Sequence, residues 1–338
     1  MNCKLDSYFA DIRHLINSNF KTECDNRAKV SSKDFLCTIL MCFQREGHRK
    51  YIESLNRYLL QITGMKLSRS AFWERLSTKS MQDNLINLFM ELIAEKKQTH
   101  IKPEFLKELN VKTSYALDAS TISLPSRARK HFKGTRTNKM HSAIKWQCLY
   151  NLVYKTVDHS KITGGTALKV RLGKCDLPNY PTTDCFVTAT WNEVENRYHW
   201  YVTNMDIDPK LSYPIYRLRW QIEFFFKATK SYLNLGKITA ANPTIILNLV
   251  LISQISFLIT MPMIGVLLGD EVHKASILRI GIFIQKVSVI LIQVLTGVCE
   301  CVVDLIREFK IWREHLFDPN SAKRESSIIQ INSIITGV

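Results

Sequence analysis

The segment between residues 216 and 230 carries the residues whose types and spacing best suit chemistry. If this segment forms one helix, four polar side chains fall within roughly 60° of arc, namely Tyr216, Arg219, Glu223 and Lys230. The other positions are mostly aromatic or aliphatic, so we expect a buried helix whose polar stripe points into a cleft. A carboxylate flanked by cations suits a site that holds a metal ion and a phosphate together. The alternative is a simple intrahelical ion pair, because Arg219 and Glu223 are spaced i,i+4.

A second carboxylate, Asp118, stands next to an unusually basic stretch. Residues 114–117 predict a short buried strand that ends at Asp118. Residues 119–157 contain no acidic residue but eight basic ones, which are Arg127, Arg129, Lys130, Lys133, Arg136, Lys139, Lys145 and Lys155. Residues 125–141 also contain Gly134, serine and threonine, which predicts an exposed loop whose cations can meet phosphates. The alternative is a solvated basic loop that binds nothing.

The elements that would position these groups begin with helices. Residues 1–110 have apolar residues at helical spacing, with Gly64 as a helix C-cap and a new helix starting at Ser68 or Ser70. We expect a helical N-terminal DNA-binding domain, in which a helix near Lys66, Arg69 and Arg75 contacts DNA ends. The alternative is a domain that serves only packing.

The middle of the chain predicts strands and the remainder predicts helices. A strand is expected over residues 144–152, and residues 154–157 either extend it or start a third strand. Residues 186–190 and 198–203 flank a polar turn in the pattern of a hairpin. Helices are expected from Leu211 onward, and the tail after Pro319 is expected to be loosely held.

Residues 245–268 contain no charged residue and are long enough to cross a bilayer. Because polar residues and Pro262 interrupt the run, we expect a buried core helix beneath the sheet that carries Asp118. A basic protein associated with a membrane is the competing interpretation.

The composition narrows the class of protein. The 338 residues include 46 Lys+Arg against 30 Asp+Glu, a formal net charge of +16, and 46% are hydrophobic. Such a chain is too hydrophobic to be disordered, and its charge favours nucleic acid as a partner, with an anionic membrane surface second. The nine cysteines are scattered and predict neither a disulfide framework nor a zinc site. Free thiols, and an N-terminus that mixes charged and apolar residues, predict a cytoplasmic protein.

The spacing Tyr216-x2-Arg219-x3-Glu223-x6-Lys230, inside Y-R-L-R-W-Q-I-E-F-F-F-K, resembles the Y-R-E-K signature of bacterial insertion-sequence DDE transposases of the IS-four group. Residues 117–121 resemble the family's Asp-bearing strand segment, and residues 70–73 are similar to its end-binding region. The resemblance covers residues 1–155 and 185–260. It implies an α/β (α+β) fold with an RNase H-like core over residues 111–260, a β insertion at about 166–205 and a helical C-terminal region over 261–338.

The resemblance also implies an activity and a site. The protein would be a cut-and-paste DNA transposase that cleaves phosphodiesters and transfers strands at insertion-sequence ends, using Mg²⁺, for which Mn²⁺ can substitute. Asp118 and Glu223 would be the catalytic metal ligands, and Tyr216, Arg219 and Lys230 would contact DNA. The cations of the basic loop, Arg127, Arg129, Lys130, Lys133 and Arg136, would join them. The partners would be double-stranded DNA, at insertion-sequence ends and at the target, and a second copy of the chain on DNA; no membrane partner is expected.

The resemblance fails at the third carboxylate that this chemistry requires. The available acids are Asp158, Asp176 and Asp184, and none has the expected setting on a strand that follows a helix. Because residues 161–165 and 166–170 resemble family segments that flank the second Asp strand, we hypothesise an internal deletion near residues 164–166. Losing one of three metal-binding carboxylates would leave little chemistry. The alternative function is therefore a non-catalytic, DNA-binding transposase remnant.

Overall fold

Helices occupy both ends of the chain and strands its middle. The computed structural model describes residues 2–20, 30–42, 51–99, 108, 114–134, 142–152, 156–164, 186–193, 195–203, 207–231, 238, 240–297, 301–318 and 327–336. Its elements are α1 (Asn2–Asn19), α2 (Ser32–Cys42), α3 (Tyr51–Thr63), α4 (Arg69–Ser77), α5 (Lys79–Thr99), β1 (Tyr115–Ser123), β2 (Ala143–Asn151), β3 (Thr156–Gly164), β4 (Phe186–Asn192), β5 (Arg197–Thr203), α6 (Pro209–Leu218), α7 (Trp220–Ser231), α8 (Pro243–Leu268), α9 (Ile277–Lys286), α10 (Ser288–Thr296), α11 (Cys301–Trp312) and α12 (Ser327–Thr336).

Two helix boundaries in the N-terminal region lie where the sequence predicts them. Gly64 has a φ of +70°, which a residue with a side chain rarely adopts, and its N–H donates to the Leu60 carbonyl at 3.0 Å. Ser68 caps α4, its hydroxyl accepting from the Ala71 N–H at 3.1 Å. The predicted C-cap and N-cap are thus confirmed.

Strands β1, β2 and β3 form an antiparallel sheet in that order. The prediction that the first strand ends at Asp118 is wrong, because β1 continues to Ser123 and pairs with β2 along its whole length. The continuation contains the β-branched residues Thr121 and Ile122, which favour extended backbone. Asp118 therefore occupies the middle of a strand.

The predicted hairpin is confirmed as β4 and β5, which pair antiparallel from Phe186↔Thr203 to Asn192↔Arg197. One of its faces packs on α6, where the Thr188 hydroxyl bonds to the Ser212 hydroxyl at 2.7 Å. The hairpin is therefore attached to the helix that leads into the 216–230 segment.

The uncharged helix α8 lies in the centre of the molecule, as predicted. Its Gln254 Nε2 donates to the Ser160 hydroxyl of β3 at 3.2 Å, and its Ser256 hydroxyl donates to the Leu40 carbonyl at 2.9 Å. These buried polar residues therefore serve contacts inside the protein. Among the described residues, α8 is the helix long and apolar enough to cross a bilayer, and α9 with α10, bent by 68°, would qualify only as one broken span.

One hydrophobic core joins α1–α5 and α7–α11 to the sheet, while α6 and α12 share a second, smaller cluster. Helix α8 contacts α1, α2, α4 and α5 as well as β3. Side chains from the N-terminal region also cap the end of α10, where Arg13 donates to the Val294 carbonyl at 3.2 Å and Lys33 to the Thr296 carbonyl at 3.4 Å. The prediction of mixed α+β structure is confirmed, while the domain boundaries at residues 110 and 260 stay predictions.

Part of the tail differs from the expectation of loose attachment. Helix α12 packs on α6, where Ile331 is buried against Leu211 and Leu218, and Arg217 Nη1 donates to Gln330 Oε1 at 3.2 Å. The apolar residues of α12 supply a face that α6 covers, so this segment is a packed helix.

Candidate functional site

Asp118 lies on the face of the sheet that the helices cover. It pairs with Cys148 of β2, which in turn pairs with Ser160 of β3. Directly opposed residues of antiparallel strands project from the same face. Trp146 and Tyr150, the neighbours of Cys148 on that face, are both buried. The half-buried Asp118 carboxylate therefore points toward the helical layer.

The side chains next to Asp118 across the sheet, Cys148 and Ser160, form a polar row, and Ser160 is held by two hydrogen bonds. The Ser160 hydroxyl accepts from Trp146 Nε1 at 2.7 Å and from Gln254 Nε2 at 3.2 Å. Burial raises the pKa of the Cys148 thiol far above its usual value; a hydrogen bond with Ser160 opposes this and the nearby charge of Asp118 adds to it, but burial dominates. Cys148 is therefore a neutral thiol near pH 7 and no nucleophile.

Helix α7 crosses the sheet above this row. The Phe225 ring centroid lies 5.3 Å from that of Trp146 and 5.5 Å from that of Tyr150, so Phe225 spans the strand position of Cys148. Helix α7 also contacts β1 directly. The structure thus packs the helix that bears Glu223 onto the strand that bears Asp118.

The polar stripe is divided between two helices, so the prediction of one continuous helix from 216 to 230 is wrong. Helix α6 ends at Leu218 and α7 begins at Trp220, with Arg219 between them. Here the Arg219 N–H donates to the Tyr216 carbonyl and the Ile222 N–H donates to the Arg219 carbonyl. These i→i+3 bonds tighten the backbone and rotate its side chains further per residue than an α-helix does.

The tight turn still brings Tyr216, Arg219 and Glu223 together. Arg219 Nη2 lies 2.8 Å from Glu223 Oε1, and the guanidinium carbon is 5.3 Å from the Tyr216 ring centroid. Although partial burial opposes it, contact with Tyr216 and Glu223 raises the pKa of Arg219. The ion pair predicted by the simpler interpretation is therefore present, and an incoming cation or phosphate would compete with it.

Lys230 lies at the C-terminal end of α7, two turns beyond Glu223. It is half-buried, and loss of solvation lowers its pKa below the usual value for lysine. A phosphate placed next to it would favour the charged form again.

The third carboxylate is not supplied by Asp158. Its Oδ2 accepts from the Tyr115 hydroxyl at 3.1 Å and from Asn151 Nδ2 at 3.0 Å. Tyr115 and Asn151 are opposed in the sheet and alternate with Asp118, so they lie on the other face. Asp176 and Asp184 lie outside the described residues, and the hypothesised deletion point falls at the end of the described segment at Gly164. Within the described residues, no three His, Cys, Asp or Glu side chains form a group that could hold a metal ion.

The basic loop follows directly on β1. Arg127, Arg129, Lys130 and Lys133 are exposed, whereas Ala128 between them is buried. The loop is fixed at its base, where the Ser142 hydroxyl donates to the Phe132 carbonyl at 2.7 Å. The sequence therefore placed these four cations correctly on the surface, and Arg136 lies outside the described residues.

One predicted DNA contact in the N-terminal helices has an internal role. Arg75 donates to the Val30 carbonyl at 2.8 Å and lies 5.6 Å from the centroid of the Phe35 ring. Burial lowers its pKa from the usual value for arginine. Lys66 and Arg69 remain exposed.

Two features of the structure were not identified from the sequence. Phe225 positions α7, but in the run of phenylalanines 224–226 no spacing distinguishes it before the sheet is known. The outward face of the hairpin is different, because its alternation of large apolar residues in β4 and β5 was visible in the sequence.

Comparisons of the chain with protein-family models, with curated proteins and with solved structures gave no match.

Proposed function

We propose that the protein is a DNA transposase of the DDE type, of the IS-four group of bacterial insertion sequences, with an RNase H-like core and a cytoplasmic site of action. The observation that carries the proposal is the packing of α7, which bears Glu223 and Lys230 of the Y-R-E-K residues, on the sheet face that bears Asp118. An antiparallel meander of three strands with a late helix across it is the arrangement that the family resemblance implies.

In this proposal Asp118 and Glu223 hold the divalent cation. Carboxylate oxygens are the ligands that Mg²⁺ prefers, and Mn²⁺ accepts the same donors. Such an ion stabilises the charge that develops on a phosphodiester during cleavage. Glu223 must exchange its partner Arg219 for the cation, which frees the Arg219 guanidinium for a DNA phosphate.

The remaining cations hold double-stranded DNA beside these acids. At about 3.3 Å per residue, the five residues from Asp118 to the end of β1 span about 17 Å. That distance matches about five phosphates along one strand of a duplex. A duplex lying along β1 would therefore span the distance from Asp118 to the end of the strand that leads into the basic loop (Arg127, Arg129, Lys130, Lys133).

A non-catalytic, DNA-binding remnant is the second candidate. It is favoured by the ion pair between Arg219 and Glu223, which already satisfies the carboxylate without a metal. Such a chain would still occupy DNA through the basic loop and Lys230. The two candidates share the binding step and differ in cleavage.

Binding is tested first, with a fluorescent 30-bp duplex and the full chain. We expect affinity to fall steeply between 50 and 200 mM salt, and replacing Arg127 and Lys130 by alanine to reduce the salt slope by about 0.9 for each phosphate that the variant no longer neutralises. Lys79→Ala is the matched control, because this exposed lysine is paired with Asp83 on α5. Affinity for the duplex that is unchanged by salt or by the loop variants would overturn both candidates.

Cleavage is tested with supercoiled plasmid carrying the chain's own flanking DNA, with Mg²⁺ or Mn²⁺. The transposase proposal expects nicking that Asp118→Asn and Glu223→Gln abolish while duplex binding persists. Asp158→Asn is the matched control, since that carboxylate lies on the other face of the sheet. Binding without nicking would select the remnant, and nicking that depends on Asp158 instead would overturn the assigned pair.

A further inference from the structure

The side of β1 that faces away from β2, named here the β1 edge, is a row of backbone groups beside which no described strand lies. In an antiparallel pair, successive residues direct their N–H and C=O groups alternately toward the partner strand and away from it. The Leu152 N–H donates to the Ser114 carbonyl and the Leu124 N–H to the Ser142 carbonyl, both at 2.9 Å. Even-numbered positions therefore face β2, and the backbone groups of the β1 edge belong to Tyr115, Leu117, Ala119 and Thr121.

The backbone groups of the β1 edge are available for pairing. Among the described residues, no backbone group bonds to the outward N–H or C=O of Leu117 or Thr121. The Ala119 N–H donates to the carboxylate of its neighbour Asp118 at 2.7 Å. The helical layer does not close over this edge, because Leu117 is 74% exposed and Ser120, on the covered face, is only half-buried. A further strand therefore has access along residues 115–121.

Strand β1 lacks the features that usually protect an edge strand from pairing. Protected edge strands are short, carry proline or several charges, or contain a bulge. Strand β1 has nine residues in unbroken register with β2, contains no proline and has Asp118 as its one charged residue. The other edge strand, β3, has an interrupted register with β2 and is contacted by α5 and α8. The β1 edge is therefore the better template for an added strand.

The chemistry of the β1 edge selects the class of partner. The edge alternates donors and acceptors, which a polypeptide strand complements, whereas a phosphate backbone offers acceptors only. Beyond the end of β1, the basic loop presents exposed cations that include Arg129, Lys130 and Lys133. No acidic residue occurs between positions 119 and 157. A strand that continues past residue 121 therefore meets positive charge, which acidic side chains complement.

We propose that the β1 edge binds an extended peptide of another protein, which adds as a further strand and places acidic residues against the basic loop. Seven extended residues, at about 3.3 Å each, span about 23 Å and cover the edge from Tyr115 to Thr121. Main-chain hydrogen bonds supply the affinity, and the acidic end sets the register. The added strand displaces the Asp118 carboxylate from the Ala119 N–H. This binding does not depend on the proposed transposase function, although a duplex on the basic loop would compete with the peptide.

The test is binding of a synthetic probe, three glutamates followed by seven alternating threonines and valines, to the full chain in DNA-free buffer. A strand antiparallel to β1 begins beside the basic loop, so this probe matches that orientation, and a probe with the glutamates last matches the parallel one. We expect one of them to slow hydrogen exchange at the Leu117 and Thr121 amides. The Ser120 amide, which faces β2, should exchange slowly with or without the probe.

Variants of the chain test the edge and the loop separately. Thr121→Pro removes one outward N–H at an edge position where proline is tolerated, and it should weaken binding about 3- to 10-fold. Lys79→Pro is the matched control, because this residue is the first of α5, where a helix accepts proline. Replacing Arg129 and Lys130 together by alanine should weaken the glutamate probe but not a version with serines in place of the glutamates.

Modified probes decide between occupants. Methylation of the amide nitrogens that face β1 should reduce affinity about 10-fold or more, and equal affinity would show that no strand is added. Lysines in place of the glutamates should weaken binding, and equal affinity would remove the acidic partner. The proposal also fails if neither orientation binds at 1 mM probe. Protection of the Leu117 and Thr121 amides that grows with chain concentration would assign the edge to a second copy, and protection by a duplex alone would assign it to nucleic acid.

Discussion

Replacing Phe225 by alanine should destabilise the protein far more than the same change at its neighbour Phe224. Phe225 is 1% exposed, and its ring packs against Trp146, Tyr150 and Phe257 at centroid distances of 5.3, 5.5 and 4.9 Å. Phe224, on the opposite side of α7, is 49% exposed.

The expected magnitude follows from this packing. Truncating a buried phenylalanine costs about 3–5 kcal/mol, because apolar surface loses its packing partner and a cavity remains. The three ring neighbours place Phe225→Ala in the upper part of that range, since each aromatic pair adds about 0.5–1.5 kcal/mol beyond area burial. For Phe224→Ala we expect a loss within about 0.5 kcal/mol. Phe225→Leu, which keeps most of the volume, should cost less than Phe225→Ala.

The assay is urea unfolding, monitored by tryptophan fluorescence and by circular dichroism at equal protein concentration. Phe225→Ala should lower the midpoint with an unchanged slope, which shows that stability itself has changed. Under the proposed function, duplex binding measured below the transition should weaken with Phe225→Ala more than with Phe225→Leu, because α7 then loses its fixed position above Asp118. Equal losses of stability for Phe224→Ala and Phe225→Ala would refute the packing of α7 on the sheet.

Three further predictions concern buried polar, ionisable and apolar groups. Gln254 Oε1 is buried and finds no hydrogen-bond partner among the described residues. Gln254→Leu removes this unsatisfied oxygen together with the bond to Ser160, so it should change the unfolding free energy by less than about 1 kcal/mol. A loss above about 3 kcal/mol would contradict this expectation. Burial and the nearby Asp11 raise the pKa of Glu95, so the folded state favours the neutral carboxyl. The neutral carboxyl contributes stability below the usual pKa of 4.5, and this contribution is lost as the pH rises through the raised pKa of the folded state. Glu95→Gln should therefore raise the melting temperature at pH 7, and the gain should shrink as the pH falls toward the usual pKa of 4.5. Ile331→Asp should release α12 from α6, which limited proteolysis would detect as faster cleavage near the C-terminus, and unchanged cleavage would argue against that packing.

The sequence by itself determined much of the local structure. Helix caps at Gly64 and Ser68, the hairpin and the uncharged helix α8 all follow from short-range rules of turn chemistry and periodicity, so they could be predicted. The exposure of the basic loop followed in the same way from its charge and its turn-forming residues.

Only the tertiary structure decided how these elements meet. That α7 crosses the covered face of β1, that Asp158 faces away from Asp118 and that Arg75 is held by Val30 depend on contacts between residues far apart in the chain. Periodicity specifies which face of an element is apolar but not which partner covers it, because many partners offer a similar apolar surface. The break at Arg219 was likewise invisible to a regular advance of 100° per residue, which does not hold where i→i+3 hydrogen bonds tighten the backbone.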